Sequence, residues 1–175
     1  MKICSVTGHR PGGFPWNYHE KTCPAHLNYL SYMTHRIEEL ITKDNYNYFI
    51  AGGAIGVDTD FAKAVEQLRD SKYPHVQLEI AVPCENQDLK WSKSDKILYH
   101  NILDNADIVT VLSPKYTSFC MQKRNEYMVK KSDFVLAFWN SDNKKGGTFS
   151  TINLMKRKKI CFELITLQKF MDEYK

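Results

Sequence analysis

The sequence predicts an α/β fold: a Rossmann-like, doubly wound, mostly parallel sheet flanked by helices. Three observations carry this. Short β-rich runs alternate with helical patterns through the whole chain. Several of those runs lack polar alternation, as strands do when helices cover both faces of a sheet. Glycine-bearing turns follow the strands, on the side where such sheets deliver their ligand-binding loops.

In chain order, the strands are expected at 2–6 (KICSV), 46–51 (YNYFIA), 76–82 (VQLEIAV), 107–113 (DIVTVLS), 133–139 (DFVLAFW) and 160–164 (ICFEL). Between the first two, Leu27, Leu30, Ile37, Leu40 and Ile41 follow helical spacing. Between the next two, Val57, Phe61, Val65 and Leu68 do the same. A third helix fits 95–105, a fourth 121–131, and a fifth begins near Thr148 and ends before Ile160. The longest irregular piece covers residues 8–24, and neither an internal repeat nor a linker stands out.

The 175 residues, 43% hydrophobic and 25% charged, suit one domain spanning 1–175 with a sizeable core. No apolar run approaches a membrane span, and the N-terminal stretch lacks the apolar segment of a signal peptide, so a soluble cytoplasmic protein is expected. Five scattered cysteines, without a CxxC pair, argue against a disulfide framework or a zinc ribbon. His19, Cys23 and His26 mimic metal ligands, but their spacing matches no recognised knuckle pair, so no metal is expected. The net charge of +4 owes part of its size to Lys156–Lys159, read as a solvated helix end. It permits an anionic ligand and argues against nucleic acid as the partner.

Four loops carry residues with ligand-binding chemistry. Gly52, Gly53 and Gly56 fall between strand and helix, where glycine permits a tight turn and a close approach to a ligand, and the next helix start offers free amides. Packing alone would explain the same glycines. Asp58 and Asp60 lie in that helix's first turn; one of them suits a cap or a ribose hydroxyl, and for Asp60 capping is the preferred reading. After the first strand, Gly8, His9 and Arg10 sit where a phosphate would be gripped by paired guanidinium donors. Arg124 and Asn125 lie just inside the fourth helix, a pair that is equally at home on a solvated face. Gly146, Gly147 and Thr148, after the fifth strand, form a second candidate anion site.

Taken in order, VTGHRP, AGGAIGVD, VPCENQDLKW and KRNEYMVKKSDFVLAFW resemble the YpsA-like branch of the SLOG superfamily, which also contains the DprA/Smf proteins and the LOG phosphoribohydrolases. The resemblance implies that Gly52, Gly53 and Gly56 form the phosphate-side loop of a nucleotide site. It implies too that Arg124 is the counterpart of an arginine that assists catalysis in LOG enzymes, and that Gln87 and Trp91 match a recurring Gln and Trp, the first reading a base or ribose edge, the second stacking on a base or simply packing. One departure matters. The LOG motif PGGxGTxxE is represented by KKGGTFST, with Thr151 where the glutamate should stand, and a hydroxyl neither carries negative charge nor exchanges a proton near neutral pH. Glu85 and Asp58 are the available replacement acids.

The leading expectation is therefore a binder of a nucleotide or nucleotide-derived small molecule, a sensor being one form of it, needing no further cofactor. The alternatives are a LOG-type nucleotide hydrolase and a DprA-like single-strand DNA binder. A dinucleotide dehydrogenase ranks last, because only Glu85 lies near the place of the acidic residue that such an enzyme wants. Homo-oligomerisation is left open.

Overall fold

The computed structural model describes residues 1–172. Six strands form one all-parallel sheet: β1 (Ile3–Thr7), β2 (Tyr48–Ala51), β3 (Gln77–Val82), β4 (Ile108–Val111), β5 (Phe134–Trp139) and β6 (Cys161–Thr166), in the order β4-β3-β2-β1-β5-β6. The helices between them are α1 (Pro24–Thr42), α2 (Val57–Ser71), α3 (Lys93–Asn105), α4 (Cys120–Lys131) and α5 (Gly146–Lys158). A short α6 (Lys169–Asp172) and a 3-10 turn at Pro11–Gly13, inside the long irregular segment, were not foreseen from the pattern.

Most elements lie within a residue or two of their sequence positions, and local chemistry sets the ends. Pro24 opens α1, where a missing N–H is harmless, and the Ser92 hydroxyl accepts from the Asp95 N–H at 3.1 Å to cap α3. The apolar stripe of α1 differs from the expected one. Tyr29 and Met33 are buried with Ile37, Leu40 and Ile41, whereas Leu27 is exposed. The aromatic cluster under the 8–24 segment recruits Tyr29: its ring packs edge-on against Phe14 and Phe138.

Alternate strand residues point to opposite faces. Cys4, Val6, Phe49, Leu78, Ile80, Leu136 and Phe138 meet α1 and α2 in the larger core. On the other face Val135 and Ala137 meet α5, and Ile50 and Ala81 meet Met128 of α4. That second face also holds a buried carboxylate: Glu79 accepts from Tyr48, Thr110, Tyr127 and Lys131 at 2.6 to 2.7 Å. Burial opposes its ionisation, but the four donors together outweigh that and hold its pKa below the ordinary value.

Asp60 does not cap α2. Gly56 occupies the N-cap position, and Asp60 turns inward to accept the hydroxyls of Tyr18 and Tyr29 at 3.0 and 3.1 Å. These contacts pin the 8–24 segment to the body of the fold. Burial pushes the Asp60 carboxyl up to about 6, against 3.8 for a free aspartate. Between those values the folded chain binds more protons than the unfolded one, so Asp60's contribution to stability is full below pH 4 and is lost as pH rises through 6. A displacement of that size corresponds to about 3 kcal/mol. Asp60→Asn should remove this component: urea unfolding from pH 4 to 7.5 is expected to show the variant gaining stability relative to the wild type as pH rises, and parallel curves would refute the assignment.

Candidate functional site

The sheet order places the topological switch between β1 and β5, since the chain winds outward through β2, β3 and β4 and then returns to the other side of β1. Loops that leave such neighbours diverge to opposite faces and open a crevice at the carboxyl ends. A cleft of about 480 Å3 lies there. Its walls are Thr7 at the end of β1 with Gly8 to Arg10 after it, Ala54, Ile55 and Asp58 after β2, Met121, Arg124 and Asn125 from α4, and Asn143 with Lys145 to Thr148 after β5.

Hydrogen bonds tie the loops together. The Asp58 carboxylate accepts from Arg124 Nη1 at 2.8 Å and from the Ala54 N–H at 3.3 Å, and both charged side chains are more than nine-tenths buried. Thr148 Oγ1 donates to the Gly8 carbonyl at 2.8 Å, and the Val57 N–H donates to the His9 carbonyl at 3.1 Å. Asn125 Nδ2 donates to Thr151 Oγ1 at 2.9 Å, and that hydroxyl donates to the Gly147 carbonyl at 2.8 Å. Thr151, at the position where a LOG enzyme would carry its glutamate, therefore holds the α4 and α5 walls together.

The glycines of the AGGAIG turn face protein. A Cβ on Gly52 would overlap the Arg124 guanidinium, so this position is the passage through which Arg124 reaches Asp58. Gly56 has φ +114°, and a Cβ there would overlap the His9 carbonyl. A Cβ on Gly53 would meet Ile80 and Tyr99. Open space lies instead at the start of α5: nothing stands within 4 Å of a Cβ on Gly146, and only Asn125 Nδ2, at 3.9 Å, near one on Gly147. The first-turn amides of α5 lack intrahelical acceptors, as at any helix start, and they border the cleft.

Of the residues singled out from the sequence, Gly8, His9, Arg10, Asp58, Arg124, Asn125, Gly146, Gly147 and Thr148 converge on this cleft. Gln87 does not line it. It is buried behind the turn, where its Nε2 donates to the Gly53 carbonyl at 3.3 Å. Glu85 is exposed on the loop after β3 and is not among the lining residues. Trp91 packs edge-on against Tyr99, with ring centroids 5.2 Å apart. His26 is fully buried and accepts from Trp16 Nε1 at 3.3 Å; among the described residues no group of three His, Cys, Asp or Glu is placed to hold a metal ion. Lys145 and Asn143 joined the wall unforeseen, although Lys145 directly precedes the glycine pair in the sequence.

Charge is unevenly distributed in the cleft. Asp58, its only carboxylate, is engaged by Arg124, while Arg10 and Lys145 have no ion-pair partner among the described residues. Burial lowers the His9 pKa below the ordinary imidazole value, so the ring is neutral at pH 7, and its Nε2 is buried with no hydrogen-bond partner among the described residues.

A family model described as the YspA SLOG family matches residues 4–170. The chain belongs to that family. Among its relatives, an uncharacterised SPbeta prophage-derived protein, YoqJ of Bacillus subtilis, is 36% identical over 133 residues, covering 69% of this chain and 76% of the relative. A UPF0398 protein of Halalkalibacterium halodurans is 28% identical over 150 residues, covering 81% and 74%. One from Bacillus cereus strain G9842 is 27% identical over 160, covering 90% and 84%. In this SLOG chain Gly52 of the glycine turn thus makes room for an arginine, while the α5 start is the open glycine-bearing edge.

The arginine's passage can be tested directly. Gly52→Ala should push Arg124 off Asp58 and leave a buried carboxylate unpaired, a loss of about 3–5 kcal/mol. Gly147→Ala should change stability by less than about 1 kcal/mol, since a methyl meets open space there. Chemical denaturation of the two variants distinguishes them; equal destabilisation would contradict the packing role of Gly52.

Proposed function

We propose that this protein binds a nucleotide or nucleotide-derived small molecule, with a phosphate group against the start of α5 between Arg10 and Lys145. The observation that carries the reading is the unpaired positive charge of a switch-point cleft whose one carboxylate is already neutralised. Helix-start amides and a guanidinium are suited to phosphate, since both present several N–H donors to clustered oxygens. The Asn125 and Thr148 side chains and the His9 ring supply neutral polar groups for the remainder of the ligand.

Binding without turnover is the form of this proposal that the residues favour. Hydrolysis of a glycosidic bond requires a carboxylate or equivalent base beside the ribose. Thr151 cannot act so, Asp58 is held by Arg124, and Glu85 lies outside the cleft wall. The five free cysteines, and the lack of any membrane-crossing helix among the described residues, fit the cytosolic setting proposed with it.

Thermal-shift and calorimetric titration with a panel of nucleoside mono-, di- and triphosphates should identify at least one ligand that raises the melting temperature, while the matching nucleosides do not. Arg10→Ala and Lys145→Ala should each weaken that ligand about 10- to 100-fold, as the loss of a hydrogen bond to a charged group does. Chromatography after prolonged incubation should recover the ligand intact. Equal binding of nucleoside and nucleotide would refute the phosphate assignment, and release of free base would replace binding by catalysis.

A further inference from the structure

A second cavity, of about 430 Å3, lies beside the 8–24 segment and shares only Ile55 with the ligand cleft. Three helices each turn one face toward it by their own period: His26 and Leu30 from α1, Asp60, Lys63 and Ala64 from α2, and Leu98 from α3. Tyr18 and Lys21 close it from the segment itself.

Its chemistry is set by a stranded donor. His26 is fully buried, and its Nδ1 accepts from Trp16 Nε1 at 3.3 Å, so the proton of the neutral ring sits on Nε2. Burial and the nearby charge of Lys21 push the His26 pKa down to about 4, which keeps that tautomer at neutral pH. Nε2 has no hydrogen-bond partner in the protein. The ring lines the cavity and Trp16 does not, so this N–H lies on the cavity side. Lys21 stands beside it, its Nζ 3.3 Å from the centroid of the Tyr18 ring, which is itself 5.2 Å from the His26 ring. Neither Lys21 nor Lys63 has an ion-pair partner among the described residues. A desolvated donor left in this state is costly until an acceptor meets it.

We propose that this cavity binds a small aliphatic monocarboxylate, its oxygens between His26 Nε2 and the Lys21 ammonium and its tail on Leu30, Ile55, Ala64 and Leu98. The apolar wall calls for a hydrocarbon tail, and the few convergent donors fix the polar end. The neighbouring carboxylates limit the charge. Asp60 accepts a tyrosine hydroxyl on each oxygen, and Asp95, also on the wall, accepts from the Ser92 hydroxyl at 2.8 Å. Both are engaged and would repel a dianion such as phosphate, whereas two unpaired lysines suit a single negative charge. The site is independent of the nucleotide reading of the cleft.

Calorimetric titration and saturation-transfer NMR of the full chain with hexanoate as the probe should show saturable binding. Hexanol, which lacks the charge, and acetate, which lacks the tail, should each bind about tenfold more weakly or worse. Lys21→Met, which keeps the apolar stem, and His26→Phe, which keeps a ring against Tyr18 and Tyr29, should each weaken hexanoate about tenfold, as the loss of a hydrogen bond to a charged group does. Absence of saturable hexanoate binding, equal binding of hexanol, or unchanged affinity in Lys21→Met overturns the proposal. Binding lost in Arg10→Ala and kept in Lys21→Met would place the carboxylate in the cleft and overturn it likewise. If circular dichroism shows that His26→Phe does not fold, Lys21→Met and the comparison with hexanol and acetate decide.

Discussion

The buried pairing of Arg124 with Asp58 is the constraint around which the site is arranged. Arg124 rises from α4 on one face of the sheet, Asp58 from α2 on the other, and they meet beyond the strand ends at 2.8 Å. An arginine buried this deeply requires its partner, because neither charge alone is tolerable out of water. The pair thereby fixes the relation between the two helical layers at the carboxyl edge. It also explains Gly52, whose missing side chain is the space that the guanidinium occupies.

Other buried polar contacts repeat the principle at lower cost. Thr148 fastens the start of α5 to Gly8, and Thr151 fastens α4 to α5 through Asn125. Asp60 holds the Tyr18 and Tyr29 hydroxyls, and Glu79 gathers four donors under α4. Each contact satisfies a polar group that would otherwise be stranded in the core, and each joins elements distant in sequence. The cleft walls are hydrogen-bonded to one another in this way, while its outer rim, with Arg10, Lys145 and Gly146, is exposed.

How much of this could be read beforehand depends on how local the governing physics is. Strands such as FVLAFW and the α2 stripe of Val57, Phe61, Val65 and Leu68 were legible because hydrophobic period and length are properties of a short window. The α1 stripe was read less well: Leu27 has the right residue type and is exposed, while Tyr29 has a polar tip and is fully buried. What reverses them is the aromatic cluster beneath residues 8–24, which no window over α1 contains. Asp60 failed as a cap for the same reason, since its hydroxyl partners come from Tyr18 and Tyr29, 42 and 31 residues away.

The sequence by itself determined the parallel α/β class, the alternation of elements and the set of loops at the strand ends, because each follows from local pattern and turn chemistry. Family membership was visible in the ordered motifs too, and the match over residues 4–170 bears it out. Only the tertiary structure decided what each loop residue faces. Gly52, Gly53 and Gly146 are the same residue after similar strands, yet the first two abut protein and the third borders open space. Glu85 and Asp58 are both carboxylates near strand ends, yet one stands exposed outside the cleft and the other is neutralised within it. For Gly52 and Asp58 the deciding contact is Arg124 of α4, and for Gly53 it is Ile80 and Tyr99; no short stretch of sequence contains both partners of such contacts.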